Sequence, residues 1–159
     1  DCGAEALAIA ARSLPTFFNE LCGIARGDVL MCGNDDMVFR TVGWPSLVLA
    51  AANRYPDGLF DLGVRTHNET HYPFSIVSRM AVDRMGFLFD PRIFWGDIFL
   101  RDVMASLGRC EMLDGDIEHD WAGHAPDPVF AEGESARRAN WDAMHAQAVE
   151  QAVSKLRIV

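Results

Sequence analysis

Asp28-Val29-Leu30-Met31-Cys32 is an apolar run closed at both ends by glycine, Gly27 and Gly33, and it leads directly into Asn34-Asp35-Asp36. A short apolar run between turn residues is the signature of a buried strand. What precedes it is helical in pattern. Ala4 to Arg12 is rich in alanine and helix-prone. Ser13 followed by Pro15 supplies a cap and an early-turn proline, so a second helix begins there. Leu14, Phe17, Phe18, Leu21, Cys22 and Ile24 keep near-helical spacing, and Gly27 ends the segment.

The rest of the chain alternates in the same way. Thr41 to Pro45 reads as a loop feeding a helix that ends near Asn53–Tyr55, and Tyr55-Pro56-Asp57-Gly58 is a strong turn. A strand is expected over Leu59–Val64, a polar loop over Arg65–Pro73, and a short strand over Phe74–Val77. Ser78 then caps a helix from Arg79 to Met85, stopped by Gly86. Phe87–Trp95 reads as an irregular buried segment. Asp97–Leu107 reads as a helix ended by Gly108, Arg109–Leu113 and Asp116–His119 as two short strands, and Asp120–Phe130 as a long loop. Gly133–Leu156 reads as a helix whose apolar face includes Trp141, Met144, Ala148 and Val149. Helices alternating with short strands argue for an α/β fold.

Charge and cysteine usage bound the function. Fourteen Lys and Arg against 23 Asp and Glu give a net charge of −9, which argues against a nucleic-acid binder needing a basic face. No apolar run approaches the roughly 18–20 residues of a membrane span. The four cysteines, at 2, 22, 32 and 110, form no CxxC pair and no zinc spacing. Cys22 and Cys32 lie in apolar runs and read as buried thiols, so a reducing cytoplasm is the expected compartment. The chain opens Asp1-Cys2-Gly3-Ala4 without a methionine, which reads as a chain cut from something longer or processed at its start.

Four polar groupings could carry chemistry. Asn34-Asp35-Asp36 places hard oxygen ligands at the carboxyl end of a buried strand, where ligands sit in open α/β sheets, and suits Mg²⁺ or Mn²⁺; it is also good turn chemistry. Asp97, after Trp95-Gly96, is either a helix cap or a general base beside aromatic walls. His119, in Ile117-Glu118-His119-Asp120, with His124 behind it, is either a metal ligand or a core-edge histidine; imidazole beside carboxylates would favour Mn²⁺ over Mg²⁺. His67, Asn68, Glu69, His71 and Tyr72 form a polar loop that either contacts a substrate or is simply solvated.

The order of these motifs resembles the family-2-like glycosyltransferases of GT-A fold. Asn19, then Ala25-Arg26-Gly27-Asp28, an apolar strand and Asn34-Asp35-Asp36 carry the core of the likeness. Gly43-Trp44, Tyr55-Pro56-Asp57-Gly58, Val77-Ser78-Arg79, Trp95-Gly96-Asp97, Leu107-Gly108-Arg109 and Ile117-Glu118-His119 extend it from Asn19 to His119. The resemblance implies a three-layer α/β/α sandwich with a mixed sheet. It implies one GT-A-like domain over 1–159, with a C-terminal helix at about 133–157. It implies a metal-dependent transfer of a sugar from a nucleotide-sugar donor to a hydroxyl of a glycan, lipid or protein acceptor, with inversion. Asp36 and His119 would hold Mn²⁺ or Mg²⁺, and Asn34 and Asp35 would lie near the ribose or the metal. Asp97 would be the catalytic base, and Trp95, His71 and Arg79 would stand on the acceptor side.

Two departures accompany the likeness. Asn34 stands where the family often has Asp, and a neutral amide binds a cation less strongly than a carboxylate. Only 33 residues precede Asn34, whereas the two βα units of a GT-A nucleotide pocket need roughly 70–100. The N-terminal nucleotide-binding half is therefore expected to be largely missing, leaving a sheet edge open. Two other functions compete: a non-catalytic domain that keeps the fold, and a metal-dependent hydrolase built on Asp35, Asp36, His119 and His124.

Overall fold

The computed structural model describes residues 13–34, 36–66, 74–93, 95–119 and 141–157. The expected helix at Ala4–Arg12, the polar loop with His71, the loop beyond residue 119 with His124, and the residues 133–140 of the last helix lie outside these. So do Asp35 and Phe94.

Five helices and five strands alternate among the described residues: α1 (Leu14–Ile24), β1 (Val29–Met31), β2 (Met37–Phe39), α2 (Trp44–Ala52), β3 (Asp61–Thr66), β4 (Ile76–Ser78), α3 (Arg79–Met85), α4 (Gly96–Ser106), β5 (Cys110–His119) and α5 (Trp141–Arg157). The strands form one curled mixed sheet in the order β1-β4-β3-β5-β2. All neighbouring pairs are antiparallel except β3 with β5, which are parallel.

Local chemistry sets the helix ends much as expected. The Ser13 hydroxyl accepts from the Thr16 amide at the start of α1, and Pro15 occupies the first turn. Ser78 caps α3 by accepting from the Ala81 amide, and Gly86 closes that helix at φ 84°, a conformation glycine adopts without Cβ strain.

Strand alternation divides the apolar side chains between two faces. Leu30, Cys32 and Val77 face a core shared with α1, α3, α4 and α5. Leu62, Val64, Ile76, Leu113 and Ile117 face α2 through Val48 and Ala51. Helix α4 buries Phe99, Leu100, Val103 and Met104 completely, and this stripe is the centre of the larger core. Helix α5 joins it with Ala148, Ala152, Val153 and Leu156. Met144, expected on the apolar face, is exposed.

Two expectations about strands need correction. The segments Arg109–Leu113 and Asp116–His119 belong to one strand, β5, because the β3 pairing continues past an irregularity rather than ending. Val64 pairs with Leu113 and Arg65 with Asp116, so Asp114 and Gly115 are extra residues in the ladder. A Cβ at Gly115 would lie 3.2 Å from the Val64 side chain. The bulge turns the end of β5 towards β2, a strand the sequence reading did not anticipate. Three residues are too few to show periodicity, and β2 exists because β5 pairs with it, with Met37 opposite His119. The expected strand at Leu59–Val64 also runs on to Thr66.

Candidate functional site

The site assembles where β1 ends. The Cys32 amide still donates to the Ser75 carbonyl at 2.9 Å, so the backbone is held until the loop begins. The chain then turns through Gly33 and Asn34, and it re-enters the sheet at Met37. Asn34 is exposed, and its amide donates to the Met37 sulfur at 3.0 Å.

The β2–β5 register carries Asp36, the residue before Met37, to the end of β5. There its Oδ2 lies 3.2 Å from His119 Nε2. The side chains are 17% and 6% exposed respectively. The Phe74 ring packs edge-on against the imidazole, with centroids 5.0 Å apart. Residues far apart in sequence thus supply one carboxylate and one imidazole, both largely withdrawn from water.

The contact is a direct Asp–His pair, and its spacing is also compatible with two donors to one divalent cation. Oxygen and nitrogen donors each about 2.1 Å from one small cation stand about 3 Å apart at an octahedral angle, close to the separation found. Imidazole with carboxylate favours Mn²⁺ over Mg²⁺. Among the described residues no group of three or more His, Cys, Asp or Glu side chains has metal-binding geometry.

Asp97 lies in the first turn of α4. It is not the cap: Trp95 occupies that position, and no side-chain hydrogen bond caps the helix. The cap reading of Asp97 is thereby removed, while the helix N-terminus remains a favourable place for its negative charge. The start of α4 is fixed from beneath by contact. A Cβ on Gly96 would fall 2.4 Å from the Phe89 ring, so only glycine allows this approach. Phe89 is in turn clamped by Asn19: its backbone carbonyl accepts from the Asn19 amide nitrogen at 2.8 Å, and the Leu88 and Phe89 amides donate to the Asn19 oxygen at 2.8 and 3.0 Å. Trp95, half-buried, begins the helix by accepting at its carbonyl from the Phe99 amide.

Burial pushes the Cys32 thiol far up, and the carboxylate of Asp61, the Cys22 thiol and the carboxylate of Asp97 push it further. Asp61 is fully buried at the start of β3. It is a polar core residue that sequence reading missed, since Leu59-Phe60-Asp61-Leu62 gives no sign that an acid points inward.

Arg79 stands elsewhere. Its amide donates to the Asp28 carbonyl, at the opposite end of β1 from Cys32. Its guanidinium donates to the carbonyls of Gly27, Cys22 and Ala25 at 2.9, 3.2 and 2.6 Å, closing the C-terminal end of α1. The structure thus brings together Asp36 and His119, has Asn34 two residues before Asp36 in the connecting loop, and holds Asp97 in the first turn of α4. It does not bring Arg79 to them. Asp35 and His71 lie outside the described residues. Two residues that sequence reading had passed over support the site: Phe74 against the imidazole, and Met37 beneath the loop.

No family model, curated protein or solved structure matches the chain.

Proposed function

We propose that the chain is a metal-dependent glycosyltransferase domain, transferring a sugar from a nucleotide-sugar donor to an acceptor hydroxyl with inversion. The observation that carries this reading is the contact of Asp36 with His119 where β2 begins and β5 ends. Helices on both faces of a mixed sheet agree with a three-layer GT-A-like sandwich.

In this reading Asp36 and His119 hold Mn²⁺ or Mg²⁺, and Asn34 and Asp35 lie towards the donor. A bound divalent cation would neutralise the charge that develops on the departing diphosphate. Asp97 takes the proton of the acceptor hydroxyl as that oxygen attacks the anomeric carbon from the side opposite the leaving group. Its place in the first turn of α4 is one where the negative charge of a carboxylate is favoured. Trp95 offers an apolar wall for a sugar ring. Arg79, committed to closing α1, is left out of the acceptor side. Cys22 and Cys32 are free thiols, and with them a cytoplasmic setting is proposed. No helix among the described residues is long and apolar enough to cross a membrane.

Calorimetric titration of UDP and GDP, with and without Mn²⁺, into the wild type and Asp36→Ala tests the reading. Nucleotide binding that needs Mn²⁺ and is abolished by Asp36→Ala is expected. Mn²⁺ binding indifferent to nucleotide would point instead to a metal-dependent hydrolase. Binding of neither would leave a non-catalytic domain of the same fold.

A further inference from the structure

Asp36 sits in a turn just outside the β2–β5 ladder, yet it must meet His119 within a few tenths of an ångström to share a cation. Met37 meets this requirement in two ways. Its backbone pairs with His119 in the β2–β5 ladder, which fixes the residue before it at the end of β5. Its side chain folds back beneath the loop. The sulfur accepts the Asn34 amide at 3.0 Å, and a Cβ built on Gly33 would lie 3.1 Å from the same sulfur. The thioether also packs against the apolar cluster under α2, so the loop rests on a side chain that is itself anchored. A thioether is a weak acceptor but a flexible, polarizable filler, suited to seating a glycine-containing turn closely.

The geometry points to Met37 as the positioning residue of the metal-binding loop: it sets the spacing of Asp36 to His119 without itself being a ligand. This inference rests on the proposed metal site. Gly33 is the matching half of the contact, because a methyl group there would press on the sulfur.

The test is titration of free Mn²⁺ by electron paramagnetic resonance into the wild type, Met37→Leu and Gly33→Ala, with a melting curve and the Asn34 amide resonance recorded for each. Met37→Leu keeps the bulk and removes the acceptor; Gly33→Ala leaves β2 untouched and disturbs the same contact from the loop side. Each is expected to weaken Mn²⁺ about twofold, the low end of the worth of a hydrogen bond because a thioether is a weak acceptor, with the Asn34 amide shifted and the melting temperature nearly unchanged. A merely structural role would move the melting temperature and leave the affinity of the folded protein alone. Wild-type affinity in either folded variant overturns the inference while the metal site stands. Absence of Mn²⁺ binding in the wild type overturns both.

Discussion

Asp90 shows how a single side chain holds the segment leading into α4. Its side chain is 2% exposed. It accepts the Arg92 amide and the Arg92 guanidinium, the latter at 2.6 Å to Oδ2, while the backbone closes a turn from Ile93 to Asp90. Burial alone would raise the Asp90 carboxyl, but the Arg92 bonds outweigh it and hold it below the ordinary range. A depressed folded value means that the unfolded chain takes up its proton first as the pH falls. The contribution of Asp90 is therefore complete above the ordinary carboxylate value of about 3.9 and is lost as the pH drops through the folded value. Asp90→Asn is expected to destabilise the protein by about 2 kcal/mol at neutral pH. Urea unfolding across the acid range should show that difference shrinking below pH ~4. At the residue scale Asp36 and His119, which the fold brings into contact, both stood out in the sequence by type and place. What each acid does was not legible. Asp97 could not be told from a cap until Trp95 was found in that position, and Asp61 gave no signal because its burial depends on strands far away in sequence.

Elements were legible where the chain punctuates itself. Ser13 with Pro15, Ser78, Gly86 and Gly108 mark helix ends with chemistry that acts within a few residues. The strands β2 and β5 were not legible in the same way, because a bulge at Asp114–Gly115 and a three-residue partner have no local pattern. Arg79 illustrates the same limit. Its sequence position suggested an acceptor-side role, but the fold sets it against three carbonyls of the α1 terminus. Arg79→Ala is expected to cost about 1–2 kcal/mol in urea unfolding, the partly exposed carbonyls recovering water in exchange. Its Mn²⁺ affinity is expected to equal that of the wild type, as Arg79 stands at the other end of β1. A matching loss of affinity in the folded variant would place Arg79 back in the site.

At the scale of the whole molecule, the α/β class followed from alternating elements, but the sheet order did not. The order β1-β4-β3-β5-β2 puts the first strand at one edge and the second at the other. The loop between them therefore joins two distant strands, and the long β5 bends across to meet it. The pairing of β2 with β5 is what makes Asp36 and His119 neighbours, and no spacing in the sequence encodes it. The same arrangement keeps a second histidine well apart in role: His145 on α5 bonds Asp102 of α4 at 2.9 Å and stacks on Trp141, tying two helices together. The two histidines give one experiment its internal control. Proton resonance spectra of the histidine rings should be followed while substoichiometric Mn²⁺ is added, alone and with UDP or GDP. Selective broadening of the His119 ring, with His145 remaining sharp and the nucleotide strengthening the effect, is the result expected of a donor-binding metal centre at Asp36 and His119. A His119 ring that stays sharp, or broadens no more than His145, would contradict it.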